Sequence, residues 1–158
     1  MFREITRKKQ ALTAGECREI LKNEMRGVLA VLGDDDYPYA MPMNYLYDEE
    51  KNVIYFHGGK TGHKIDALEK HDKVSFCVYD KGFVREGEWA LNIRSVIAFG
   101  KISFVEDFDE MVEISRRLSL KYTPDVEYIE KEIEGFAKAT LCFEMKCEHI
   151  TGKIVNES

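Results

Sequence analysis

Eight consecutive residues, His57-Gly-Gly-Lys-Thr-Gly-His-Lys64, hold three glycines, one hydroxyl, two lysines and two imidazoles. A helix is expected to begin at the end of this run. Its N-terminus would present unpaired N–H groups and a partial positive charge, a combination that suits a phosphate. The glycines free the backbone to approach such a group. Gly59-Lys60-Thr61 matches the tail of a P-loop, but the glycine required upstream is Ile54 here, so the segment is not one. The alternative is a plain turn with solvated lysines.

Two further segments carry unusual chemistry. Pro38-Tyr-Ala-Met-Pro-Met-Asn-Tyr45 reads as a strand with two prolines, and proline supplies no N–H to a ladder. Period-two alternation sends Tyr39, Met41, Met43 and Tyr45 one way and Ala40, Pro42, Asn44 and Leu46 the other. Either the backbone near Met41–Asn44 faces a flat ligand, or this is an edge strand whose prolines guard against aggregation. Arg94-Ser95 opens an apolar strand, and an arginine beside a hydroxyl suits a phosphate. Trp89 is either a stacking group or a core anchor.

Metal binding competes for His57 and His63, with His71, His149 and Cys147 as further donors, but the spacing is not that of a zinc site, and no metal is expected. Cys142 and Cys147 are an odd number of residues apart and face opposite ways on a strand, Cys147 with Leu141, Phe143 and Met145. No cysteine lies beside a histidine or a helix N-terminus, which argues against a nucleophilic Cys–His pair.

The elements that must position these residues follow from periodicity. Thr13-Ala-Gly-Glu16 is a capping box opening a helix with Cys17, Ile20 and Leu21 on one face, which Gly27 is expected to break. The apolar run 28–32 predicts a strand buried on both faces. Strands are expected over 37–47, 53–57, 74–79, 89–105 and 140–148, with Gly100 at a bulge or close approach. A short helix is expected near 63–70, then a polar loop over 80–87. A capping pattern at Asp107–Glu110 opens a helix with Met111, Ile114 and Leu118 inward, and a weakly amphipathic helix runs to about Ala137. The pattern is mainly β with helices: six strands forming a barrel with helices packed outside, in a single domain over 1–158.

Composition narrows the function classes. The chain has 158 residues, 44% apolar and 33% charged, a soluble globular balance. A net charge of −6 argues against a nucleic-acid partner, which demands a clustered positive surface. No stretch approaches the roughly 20 apolar residues that span a bilayer. The N-terminus has no apolar run after its basic residues, so no export signal is expected, and four cysteines without framework spacing fit a reducing, cytoplasmic setting.

Taken in order, Gly27-Val-Leu-Ala, Pro38–Tyr45, Ile54-Tyr-Phe-His57-Gly, Gly62-His-Lys64, Arg94–Gly100 and Ile150-Thr-Gly-Lys153 resemble the FMN-binding split-barrel superfamily of pyridoxamine-phosphate-oxidase-like proteins, and within it the nitroimidazole-resistance (Nim-type) branch. The resemblance spans Arg7 to Lys153. It implies a six-stranded antiparallel split barrel that forms a homodimer with two FMN sites along the interface. By the same resemblance Met41, Pro42, Met43 and Asn44 would line the flavin ring and His57 would lie near its reactive edge. Thr61, His63 and Lys64 would hold the phosphate, and Arg94 and Ser95 would complete that end.

The implied function is an FMN-dependent oxidoreductase that passes electrons to a small organic acceptor such as a nitroaromatic compound, with NAD(P)H as the electron donor. His57 is the candidate catalytic residue, because imidazole titrates near neutral pH; its structural alternative is a hydrogen bond at a strand end. A non-catalytic flavin- or haem-binding module that stores cofactor or senses redox state is the second reading. A third is a barrel whose loops bind another phosphate ligand. Pyridoxamine-phosphate oxidation itself is disfavoured, because the chain ends Gly-Lys-Ile-Val-Asn-Glu-Ser without an arginine-rich tail.

Overall fold

The computed structural model describes residues 1–157. The first helix, α1 (Ala14–Asn23), starts on the expected capping box: Thr13 Oγ1 accepts the Glu16 N–H at 3.2 Å, and the Glu16 carboxylate accepts the Thr13 N–H at 2.7 Å. The helix ends at Asn23, short of Gly27, which lies instead within β1 (Arg26–Leu32). Glycine is needed there for space, since a Cβ would run into the Phe76 ring. Then come β2 (Pro38–Asn44), β3 (Leu46–Asp48), β4 (Val53–Gly59), α2 (His63–Lys70), β5 (Lys73–Tyr79), β6 (Phe83–Val84) and β7 (Leu91–Phe104). The helical pair α3 (Phe108–Tyr122) and α4 (Val126–Phe136) leads into the long β8 (Thr140–Asn156).

The strands form one antiparallel sheet in the order β2-β1-β5-β7-β8-β4-β3, with β6 paired to β7. This is a mainly antiparallel sheet curled into a half-barrel with four helices. The expected second strand is interrupted at Tyr45: its first part pairs with β1 and its second with β4. One residue therefore links the two ends of the sheet path. Counted that way, six long strands are present as expected, and β6 is added by a short pairing of the predicted polar loop with Leu91 and Asn92. The last strand runs well past its expected end at 148, because β7 pairs with it as far as Asn156. A register shift between Phe99 and Gly100 marks the bulge, where a Cβ on Gly100 would strike the Lys146 carbonyl.

The inner face of the curl is filled by large side chains. Phe56 stacks on Phe143 with centroids 5.3 Å apart, and both Phe56 and Tyr45 meet Phe76 edge-on at 5.1 and 4.9 Å. A second cluster, Val53, Tyr55 and Cys142 with Met111 and Ile114 of α3, sits on the opposite face of β4 and β8. Within one chain the strand buried on both faces is thus β4, not β1 as the apolar run 28–32 suggested. The reason is tertiary: α3 covers the outer side of β4, whereas β1 alternates between buried and half-buried positions.

Candidate functional site

The glycine loop and α2 form an open recess at a helix start. Gly62, the N-cap of α2, has φ +116°, and open space surrounds the positions where Cβ atoms of Gly59 and Gly62 would lie. At the helix start the Ile65 and Asp66 N–H groups donate to the Gly62 carbonyl at 2.9 and 3.1 Å, which leaves those of His63 and Lys64 without intrahelical acceptors. Lys64, on that first turn, is half-buried and folds back so that its Nζ lies 2.9 Å from where a Cβ on Gly58 would be. Only glycine at 58 leaves room for it. Among the described residues its one hydrogen-bond contact is Met43 Sδ at 3.8 Å, and it lies 5.4 Å from the Phe143 ring centre. No carboxylate among the described residues pairs with it, and burial lowers its pKa. A desolvated cation without a counter-charge is costly unless an anion arrives, so a phosphate fits this donor set.

His63 and Thr61 are placed differently. The His63 ring stacks on Tyr39 at 4.2 Å, and its Nε2 accepts the Asp34 N–H at 3.3 Å. It ties α2 to the β1–β2 turn rather than pointing into the open loop. Thr61 is exposed beside the gap above Gly59 and Gly62.

His57 ends the buried part of β4 and is half-buried. Burial and the positive charge of Lys64 both lower its pKa, so its imidazole is neutral at pH 7. No protein group among the described residues hydrogen-bonds it. Together with Asn44 it lines a cavity of about 400 Å³ whose other walls come from α3 and α4: Val112, Ser115, Leu118, Ser119, Tyr122, Ile129, Glu132, Ile133 and Phe136 among them. Asn44, at the end of β2, is likewise free of side-chain hydrogen bonds among the described residues.

On β2, Met41 and Met43 face the core, Pro42 is exposed, and the strand lies at the end of the sheet path. Both prolines therefore sit on an edge strand, with the backbone beside them open on one side. The remaining predicted pair lies elsewhere. Ser95 registers with Tyr79 and Lys153, near the Arg26 end of β1, whereas His63 touches the turn at the Leu32 end. Six residues of strand separate those two ends, or roughly 20 Å. Arg94 and Ser95 also face opposite ways: Arg94 is on the side of Val96 and Ala98, and its Nε donates to Asp80 Oδ2 at 2.7 Å. One chain does not bring this pair to Lys64.

The residues that sequence reasoning missed are those of α3 and α4 around the cavity. Their signal was present, since Ser115, Ser119 and Tyr122 share a helical face beside the buried Met111, Ile114 and Leu118. Which face would meet His57 was not readable locally.

Several solved structures share this fold. A candidate 5-nitroimidazole antibiotic resistance protein from Bacteroides thetaiotaomicron superposes with a TM-score of 0.77 at 19% identity, over 92% of this chain and 87% of that one. The flavocytochrome Anf3 from Azotobacter vinelandii gives 0.77 at 19% identity, over 96% and 72%. The FAD binding protein from Mycobacterium smegmatis gives 0.66 at 19% identity, over 94% and 99%. No curated protein sequence matches the chain significantly. At these identities the likeness concerns the fold. Residues 13–154, from the cap of α1 through nearly all of β8, match the family model described as pyridoxamine 5'-phosphate oxidase, and the chain belongs to that family.

Proposed function

We propose that this protein is a flavin-dependent oxidoreductase that binds FMN and passes electrons from NAD(P)H to a small organic acceptor, nitroaromatic compounds among them. The observation that carries the reading is Lys64: a half-buried cation, unpaired by any carboxylate among the described residues, set over Gly58 at a helix start. Its charge is felt by His57, which borders the neighbouring cavity. Lys64, Thr61 and the α2 N-terminus would hold the phosphate, and the backbone of Met41–Asn44 with Gly58 would border the ring. Bound flavin supplies the electron transfer; the protein supplies orientation and electrostatics. The neutral His57 imidazole can donate an N–H hydrogen bond across the cavity and so orient and polarise an acceptor that is gaining electrons.

A homodimer belongs to the same proposal. The outer face of β1, β5 and β7 presents Val28, Ala30, Cys77, Ile97 and Phe99, and Ile97 and Phe99 are 39% and 37% exposed. Ser95 lies on that face, remote from Lys64 in its own chain, and would reach a flavin only from a second copy. We also read the protein as cytoplasmic, which suits its four free cysteines.

The test is the visible spectrum of purified protein and the mass of what it releases on denaturation, followed by anaerobic stopped-flow mixing with NADPH and then a nitroarene. Oxidised-flavin bands, FMN released at about one per chain and reoxidation by the nitroarene would support the reading. A colourless protein that takes up no FMN sinks it. A flavin that no nicotinamide reduces would favour a binding module.

A further inference from the structure

The cavity beside His57 has walls that select by charge. Its volume of about 400 Å³ suits a molecule of one or two rings. Val112 and Leu118 of α3, and Ile129, Ile133 and Phe136 of α4, make it largely apolar, while His57, Asn44, Ser115 and Ser119 offer hydrogen bonds. Among the described residues no lysine or arginine lines it, and Glu132 is its one formally charged side chain.

The cations of the two helices are turned away from it. Arg116 binds Glu130 and Glu113, Arg117 binds Asp48, Lys121 donates to the Glu24 carbonyl, and Lys131 pairs with Glu127. His57, kept neutral, adds no positive charge. A carboxylate or phosphate entering here would lose its hydration, meet no lysine or arginine in the wall and have Glu132 in its lining.

From this arrangement we propose that the cavity is the acceptor site, that it takes a flat, unphosphorylated ring compound without negative charge, and that Glu132 is the residue that turns anions away. The acceptor role rests on the flavin-oxidoreductase reading above; the charge selection stands on the cavity alone. Phosphate recognition stays with Lys64, outside the cavity, so an electron acceptor need carry no phosphate handle.

The experiment measures binding of nitrobenzene, 4-nitrobenzoate and 4-nitrobenzylamine by ligand-observed NMR, to the protein as purified, to FMN-loaded protein and to protein stripped of flavin. Nitrobenzene and the amine should bind at least tenfold more tightly than the carboxylate. Glu132→Lys, a change at an exposed position, should shrink that ratio at least fivefold. Ile133→Trp, which fills the cavity, should abolish binding of all three while the circular dichroism spectrum is kept. Equal affinities, a ratio that Glu132→Lys leaves unmoved, binding that survives Ile133→Trp, or no binding at all would each overturn the assignment. If the protein takes up no FMN but the stripped form keeps the preference, the redox reading fails while the charge-selective cavity stands.

Discussion

The Tyr45 amide donates to Tyr122 Oη at 2.8 Å, joining the residue that links β2 to β3 with the last residue of α3. The same hydroxyl has one proton, which reaches the Met25 carbonyl at 2.5 Å with the Tyr45 carbonyl 3.1 Å away. Next to it, Lys121 Nζ donates to the Glu24 carbonyl at 2.7 Å and lies 3.7 Å from the Tyr45 ring centre. The end of α3 thus clamps the point where the sheet path closes on itself, one residue from Asn44 at the cavity. Tyr122→Phe leaves the Tyr45 amide without its partner and should lower stability by about 1–3 kcal/mol, read by urea unfolding. An unchanged unfolding midpoint would show that the clamp is dispensable.

Lys64 is expected to matter for a phosphorylated ligand and not for the fold. Lys64→Met should weaken FMN binding at least tenfold but leave riboflavin binding within about twofold, because a charge-assisted contact to phosphate is removed. The flavin-free variant should be no less stable, since the lysine is desolvated with no carboxylate partner. Gly58→Ala should weaken FMN binding in the same selective way by displacing Lys64 Nζ. Equal losses for FMN and riboflavin would count against a phosphate role.

Protonation of His57 should be uphill in the folded state. Burial and then Lys64 lower its pKa below the ordinary value of about 6.5. As pH falls through 6.5 the unfolded chain binds this proton first, so stability drops below that pH and is flat in this respect above it. Proton NMR of the imidazole should give a midpoint below 6.5, and Lys64→Met should move it upward. A midpoint at or above 6.5 would contradict the geometry.

The half-buried Lys121 has its pKa pushed down to about 8 by desolvation. Between about pH 8 and its unfolded value near 10.4, the unfolded chain holds a proton that the folded protein has shed. Stability should therefore rise with pH across that window on account of this group. Lys121→Met should flatten the rise, as measured by urea unfolding at a series of pH values. A variant whose stability still climbs with the wild-type slope would assign the effect elsewhere.

Gly100→Ala tests the bulge in β7. A Cβ there meets the backbone of Lys146, which cannot swing aside as a flexible side chain can. A loss of about 1–3 kcal/mol is expected, without a change in FMN affinity. Tolerance of alanine would mean that β8 yields at the bulge.

What the sequence by itself determined lies within short stretches of chain. The capping box at Thr13, the start of α2 after Gly62 and the inward Met111, Ile114 and Leu118 of α3 all depend on residues three or four apart. The opposite facing of Arg94 and Ser95 was also implicit in a period of two. What only the tertiary structure decided concerns partners far along the chain: that Tyr45 divides one strand between β1 and β4, that β4 rather than β1 is covered twice, and that Tyr122 reaches Tyr45 across 77 residues. The reason is that periodicity fixes which side chains share a face, while the identity of the surface opposite that face is set by how the sheet curls. The cavity between His57 and α4 arises from that second choice, so no local pattern announced it.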